Sequence, residues 1–193
     1  MLEWVFYYGA YCLAGFTLKL GDDLLDEFDK PIIALVPLAL SGLLFGLVMT
    51  VSELDLVLMV AIVIGVALSG KVNRPQFLVG FVLIGVVLFV IGVPIITSWL
   101  DWFVILGTLL VAAVLDERGN DWAESNGGRW VNGFFRFRFT LKLSVLILAV
   151  IWTAFLPSAI GLWLLDLGYE TVGYITRTAS IGKSDRRDYS THP

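Results

Sequence analysis

Apolar residues run along this chain in long unbroken blocks, with no two-residue alternation and little helical spacing. Seven such segments stand out, at residues 3–20, 31–51, 54–70, 76–97, 100–115, 140–157 and 158–176. Polar or helix-breaking stretches separate them: Pro31, Ser52 to Asp55, Gly70 to Pro75, Ser98 to Asp101, Asp116 to Phe139, and Pro157. Blocks of this kind predict an all-α polytopic membrane bundle. Lipid offers no partner for backbone polar groups, and strands of a barrel would alternate in polarity. The last boundary is the ambiguous one, because residues 140–176 could form one span with a wet tail or a hairpin of two. Basic residues arbitrate. With seven spans all thirteen Lys and Arg fall on one side of the membrane, whereas six spans move the last four across. The positive-inside rule therefore selects seven spans, with the N-terminus outside and the C-terminus cytoplasmic.

Composition agrees with this pattern. Of 193 residues 58% are hydrophobic and 16% charged, and the mean hydropathy is +0.86. A water-soluble domain needs more polar surface than that. The first block lacks a basic start, so it reads as a retained helix and not a signal peptide. Cys12, the single cysteine, excludes an internal disulfide. Residues 1–177 form one membrane domain, and 178–193 a polar, disordered cytoplasmic tail. Leu25-Asp26-Glu27 recurs as Leu115-Asp116-Glu117. Three spans, a linking span and three more would follow if this marks a duplication, with chance similarity as the alternative.

Charge becomes informative at the ends of the apolar blocks. "LKLGDDLLDEFDKP" carries five carboxylates in eight residues, Asp22, Asp23, Asp26, Glu27 and Asp29. Continuing the first helix sets Asp22, Asp26 and Asp29 on one face, with Lys19 a turn back. Carboxylates crowded at a helix C-terminus repel one another and oppose the helix dipole, so they call for a cation or basic partners. Asp116, Glu117 and Asp121 form a second acidic group on the same membrane face under the seven-span topology, and Asn120 adds a neutral oxygen. Lys71, Arg74, Arg118 and Lys142 join Lys19 there as candidate phosphate ligands. Carboxylates for Mg²⁺ beside basic groups for phosphate suit a diphosphate- or phosphate-bearing lipid. The plain alternative for both clusters is an acidic loop that simply stays hydrated.

Asp22-Asp23-Leu-Leu-Asp26 has the DDxxD form of aspartate-rich motifs in isoprenoid diphosphate enzymes. With a second acidic motif on the same face, the layout resembles the UbiA-type membrane prenyltransferases. That resemblance implies a Mg²⁺-bound prenyl diphosphate, with Asp22, Asp23, Asp26 and Asp29 in the first metal role and Asp116 and Asp121 in the second. It spans some twenty residues. The family's first motif opens with Asn-Asp where Gly21-Asp22-Asp23 stands here, and the family has nine spans.

Inside the last apolar segment, Asp166 and Glu170 lie at i and i+4. Intramembrane carboxylates bind a cation, carry a proton or pair with a basic residue on another helix; an interfacial helix with both groups in water is the alternative. "RWVNGFFRFRF", 129–139, reads as an interfacial helix among membrane lipids and not as a nucleic-acid site, given a net charge of −4. A homo-oligomer is compatible with the sequence. Two functions lead, a Mg²⁺-dependent lipid enzyme at the cytoplasmic face, or a small seven-span transporter or cation channel using Asp166 and Glu170, and a purely structural or assembly role is the third.

Overall fold

A computed structural model describes residues 2–68, 72, 74–126 and 139–190; the side chains of 117, 120, 121, 123–126 and 179–190 lie outside the description. All regular structure among these residues is helical. The elements are α1 (Leu2–Asp26), α2 (Pro31–Met49), α3 (Glu53–Leu68), α4 (Phe77–Ile91), α5 (Trp99–Asn126), α6 (Phe139–Ile151), a 3-10 turn (Thr153–Phe155) and α7 (Leu156–Ser190). Breaks fall where local chemistry demands them. Pro31 opens α2 at a position whose N–H has no helical partner, and Pro157 sits in the first turn of α7.

Some boundaries differ from those expected. α4 stops at Ile91 because Gly92 takes a left-handed φ of 100° and Pro94 comes two residues later, so 93–97 leaves the helix. α5 runs to Asn126, which makes the second acidic group part of a helix and not of a loop. α1 carries Asp22, Asp23 and Asp26, but Asp29 lies beyond its end with φ 49°. Asp29 therefore leaves the predicted face and shapes the turn into α2. α7 continues as helix from 178 to Ser190, where the sequence predicted a tail.

α1 lies between α2 and α7; α2 packs on α4, α3 on α5, α5 on α6, and α6 on α7. The order of the contacts gives the directions. Ser41 on α2 donates to the Ala14 carbonyl, while Gly21 faces Leu38, so α1 and α2 are antiparallel. Along α1 and α7, Tyr11 meets Gly161, Gly15 meets Leu165, and Lys19 meets Gly173, so these two run parallel. The start of α1 and the end of α7 thus lie at opposite ends of the bundle. Residues Tyr11, Leu58, Met59, Leu109, Phe155 and Leu162 fill the core between them.

The waist of the α1–α7 pair is built on glycine. A Cβ at Gly15 would collide with the Leu165 carbonyl, and one at Gly168 with the Cys12 carbonyl. Small residues let helix backbones approach this closely. Gly15→Ala is expected to push the helices apart and cost about 1–3 kcal/mol, the usual range for overpacking, read as a lowered midpoint of thermal unfolding in detergent. An unchanged midpoint would contradict this packing.

Large apolar side chains cover the outside: Phe89 is 90% exposed and Ile95 91%, with Ile32 and Val150 close behind. Exposed apolar surface on this scale belongs against lipid or another apolar phase. Pro31–Met49 and Trp99–Asp116 are each long and apolar enough to cross a membrane; Phe77–Ile91 and Phe139–Ile151 are shorter apolar helices.

Candidate functional site

At the end of the bundle where α1 begins, one buried carboxylate gathers three helices. Ser52 stands just before α3, and its hydroxyl oxygen accepts the Asp55 N–H at 3.1 Å while its O–H donates to Asp55 Oδ2 at 2.7 Å. The Ser52 side chain thus caps the start of α3, and its hydroxyl also ties it to the Asp55 carboxylate. Oδ1 of the same residue accepts from Tyr7 at 2.7 Å, Tyr11 at 2.5 Å and Ser158 at 2.7 Å. Tyr7 and Tyr11 reach it together because they lie one turn apart on α1. Asp55 is 2% exposed. The N-terminus of α3 favours negative charge there.

A cavity of about 680 Å³ opens beside this carboxylate. Glu3, Trp4, Tyr7, Ser52, Asp55 and Ser158 are among the described residues that line it, which include two carboxylates and no Lys, Arg or His. Sequence reasoning placed Asp55 in a loop and gave it no role. Ser52-x-x-Asp55 and the Tyr7/Tyr11 spacing were visible in the sequence, but only the fold brings them together.

Near the opposite end of α1, ion pairs form within the helix, and α7 packs against them. Lys19 Nζ lies 3.0 Å from Asp22 and 2.7 Å from Asp23, and 5.2 Å over the Tyr169 ring of α7. Thr176 of α7 donates to Asp23 at 2.6 Å. Burial pushes the Asp22 carboxyl above its usual range, with Lys19 pulling the other way and Asp26 and Asp23 adding to the rise. Arg74 meets Asp26 at 3.8 Å, both half-exposed.

The second acidic group does different work. Asp116, 1% exposed, accepts the Thr140 N–H at 3.0 Å and the Leu141 N–H at 2.7 Å, so it caps the first turn of α6. Asp26 and Asp116, equivalent in the proposed repeat, thus stand in unlike settings. Asp116→Ala is expected to cost about 1–2 kcal/mol, as for loss of a helix cap; a chemical-denaturation midpoint that does not move would contradict the capping role.

Deeper in the bundle Lys142 of α6 meets Asp166 of α7 at 2.6 Å, with Nζ 5.3 Å over the Trp163 ring. Pairing with a basic residue is thus the option Asp166 takes among those open to it. Glu170 is half-buried one turn on, and Arg118 is exposed. Lys71, the side chains of Glu117, Asn120 and Asp121, and all of "RWVNGFFRFR" at 129–138 fall outside the described residues. Among the described residues no group of three or more His, Cys, Asp or Glu is arranged to hold a metal ion.

No protein-family model, curated protein or solved structure matches this chain.

Proposed function

We propose that the chain crosses the membrane seven times, N-terminus outside, and acts as a small carrier that takes a polar solute into the Asp55 cavity. The thirteen basic residues gathered on one side under that topology, with α2 antiparallel and α7 parallel to α1, support the crossing number. One observation carries the carrier reading: the same parallel helix pair, α1 and α7, borders an open polar cavity at one end and is tied together at the other by the Thr176–Asp23 hydrogen bond and by Lys19 over the Tyr169 ring. Rocking of α7 against α1 about their glycine waist would exchange which end is open, the alternating-access scheme of small transporters.

The Mg²⁺-dependent lipid enzyme draws less support. Both Asp116 carboxylate oxygens accept backbone N–H groups, and Asp22 and Asp23 already have Lys19 as their cation.

Labelling from the two sides tests the carrier. In a Cys12→Ala background, Ala154→Cys reports on the outer cavity and Gly173→Cys on the surface under Lys19. Lys19→Gln should raise labelling of Gly173→Cys from inside and lower labelling of Ala154→Cys by an impermeant maleimide outside. If the outer rate stays constant while the inner one rises, the two ends are uncoupled and there is no carrier.

A further inference from the structure

We infer that the outer cavity holds a small organic ammonium ion, its charge set against Asp55 and Glu3 and its alkyl groups against the aromatic wall. This names the solute of the site proposed above and rests on that reading.

The first ground is an unbalanced charge. Four hydroxyls donate to Asp55, three to Oδ1 and one to Oδ2, but neutral donors do not supply a full countercharge, and buried charges in proteins are normally paired. Among the described residues no Lys, Arg or His lines the cavity, and Glu3 adds a second carboxylate. A cleft of one sign with low-dielectric walls concentrates the opposite ion. The second ground is size. About 680 Å³ lies in the range of small-molecule sites and far exceeds the roughly 30 Å³ of a water molecule. A bare metal ion would leave most of it empty.

The third ground is the wall. Trp4, Phe6 and Tyr7 line the cavity beside Leu47, Val48 and Val51, and Trp4 is held in place by packing against Tyr7 and Tyr8 with ring centres 5.8 Å apart. Aromatic faces attract quaternary ammonium groups, and the aliphatic side chains suit their methyls. Hard metal ions would need a shell of oxygens instead.

Choline and its uncharged isostere 3,3-dimethyl-1-butanol separate charge from shape. The readout is the rate at which the impermeant maleimide modifies Ala154→Cys in the Cys12→Ala protein. Choline at saturation should slow it at least fivefold, and the isostere or NaCl at equal ionic strength less than twofold. Glu3→Gln and Trp4→Leu change exposed side chains at the rim, and each should raise the choline concentration for half-protection severalfold. Asp55→Asn should raise it tenfold or more where that protein folds. Equal protection by the isostere or by NaCl, absence of protection by choline, or unaltered protection in both rim variants would overturn the inference. Choline protection without the reciprocal response of Gly173→Cys would leave an ammonium site in a protein that is not a carrier. The converse would leave a carrier of some other solute.

Discussion

Asp55→Ala is expected to lower the free energy of unfolding by about 3–5 kcal/mol, the range for removing one partner from a buried charged network. The change strands four hydroxyls at once, on α1, on α7 and before α3, and each buried donor without an acceptor costs about 1–3 kcal/mol. The penalties overlap, since freed hydroxyls can partly bond to one another or to water in the adjoining cavity. Tyr7→Phe removes a single donor and leaves the carboxylate with three, so its cost should be near 1 kcal/mol. Unfolding in mixed micelles, followed by circular dichroism, gives both values. An Asp55→Ala loss no larger than that of Tyr7→Phe would mean that this carboxylate does not tie the three helices together.

Lys142→Met is expected to cost about as much, roughly 3–5 kcal/mol, because it leaves Asp166 buried without its cation. The 2.6 Å separation and the largely buried setting of both groups exclude the screening that makes surface pairs nearly worthless. Apolar replacement of both partners, Lys142→Met with Asp166→Leu, should restore most of the loss, since a buried pair is often matched by well-packed hydrophobic residues. A double variant as unstable as the single one would show that Lys142 acts mainly through its other contacts. In the proposed carrier the same double variant should keep the reciprocal labelling of the two bundle ends, because the Lys142–Asp166 pair is a packing contact away from the Asp55 cavity.

Helix number and most helix starts could be read from the sequence because apolar blocks and prolines act locally. The stretch 140–176 divides into two helices, α6 and α7, but the break falls at 152–155, and Pro157, expected to mark it, lies in the first turn of α7. Helix ends were harder to read. Nothing in "LDERGNDWAESN" forbids continued helix, so α5 carries Asp116 inside a helical run. Asp29 departs because a single residue at positive φ redirects the chain, and its own residue type does not dictate that conformation.

The chemistry was read unevenly for a similar reason. Carboxylate density in the sequence drew attention to 22–29, and the local pairs with Lys19 arise from i, i+3 and i, i+4 spacing. Asp166 was marked by its depth in an apolar segment, but its partner, Lys142, lies on another helix. Asp55 carried a modest local signal, a serine three residues before it at a helix start. Its weight comes from Tyr7, Tyr11 and Ser158, 48, 44 and 103 residues distant, and no spacing rule links those positions.

A carrier of this design requires the Asp55 cavity and the Thr176–Asp23 contact to face opposite sides of one membrane. Sided modification in sealed vesicles of known orientation decides the matter, using Ala154→Cys and Asp26→Cys separately in the Cys12→Ala protein. An impermeant maleimide outside should modify Ala154→Cys and spare Asp26→Cys until the vesicles are opened. Modification of both positions from the same side would contradict the opposed arrangement and the carrier with it.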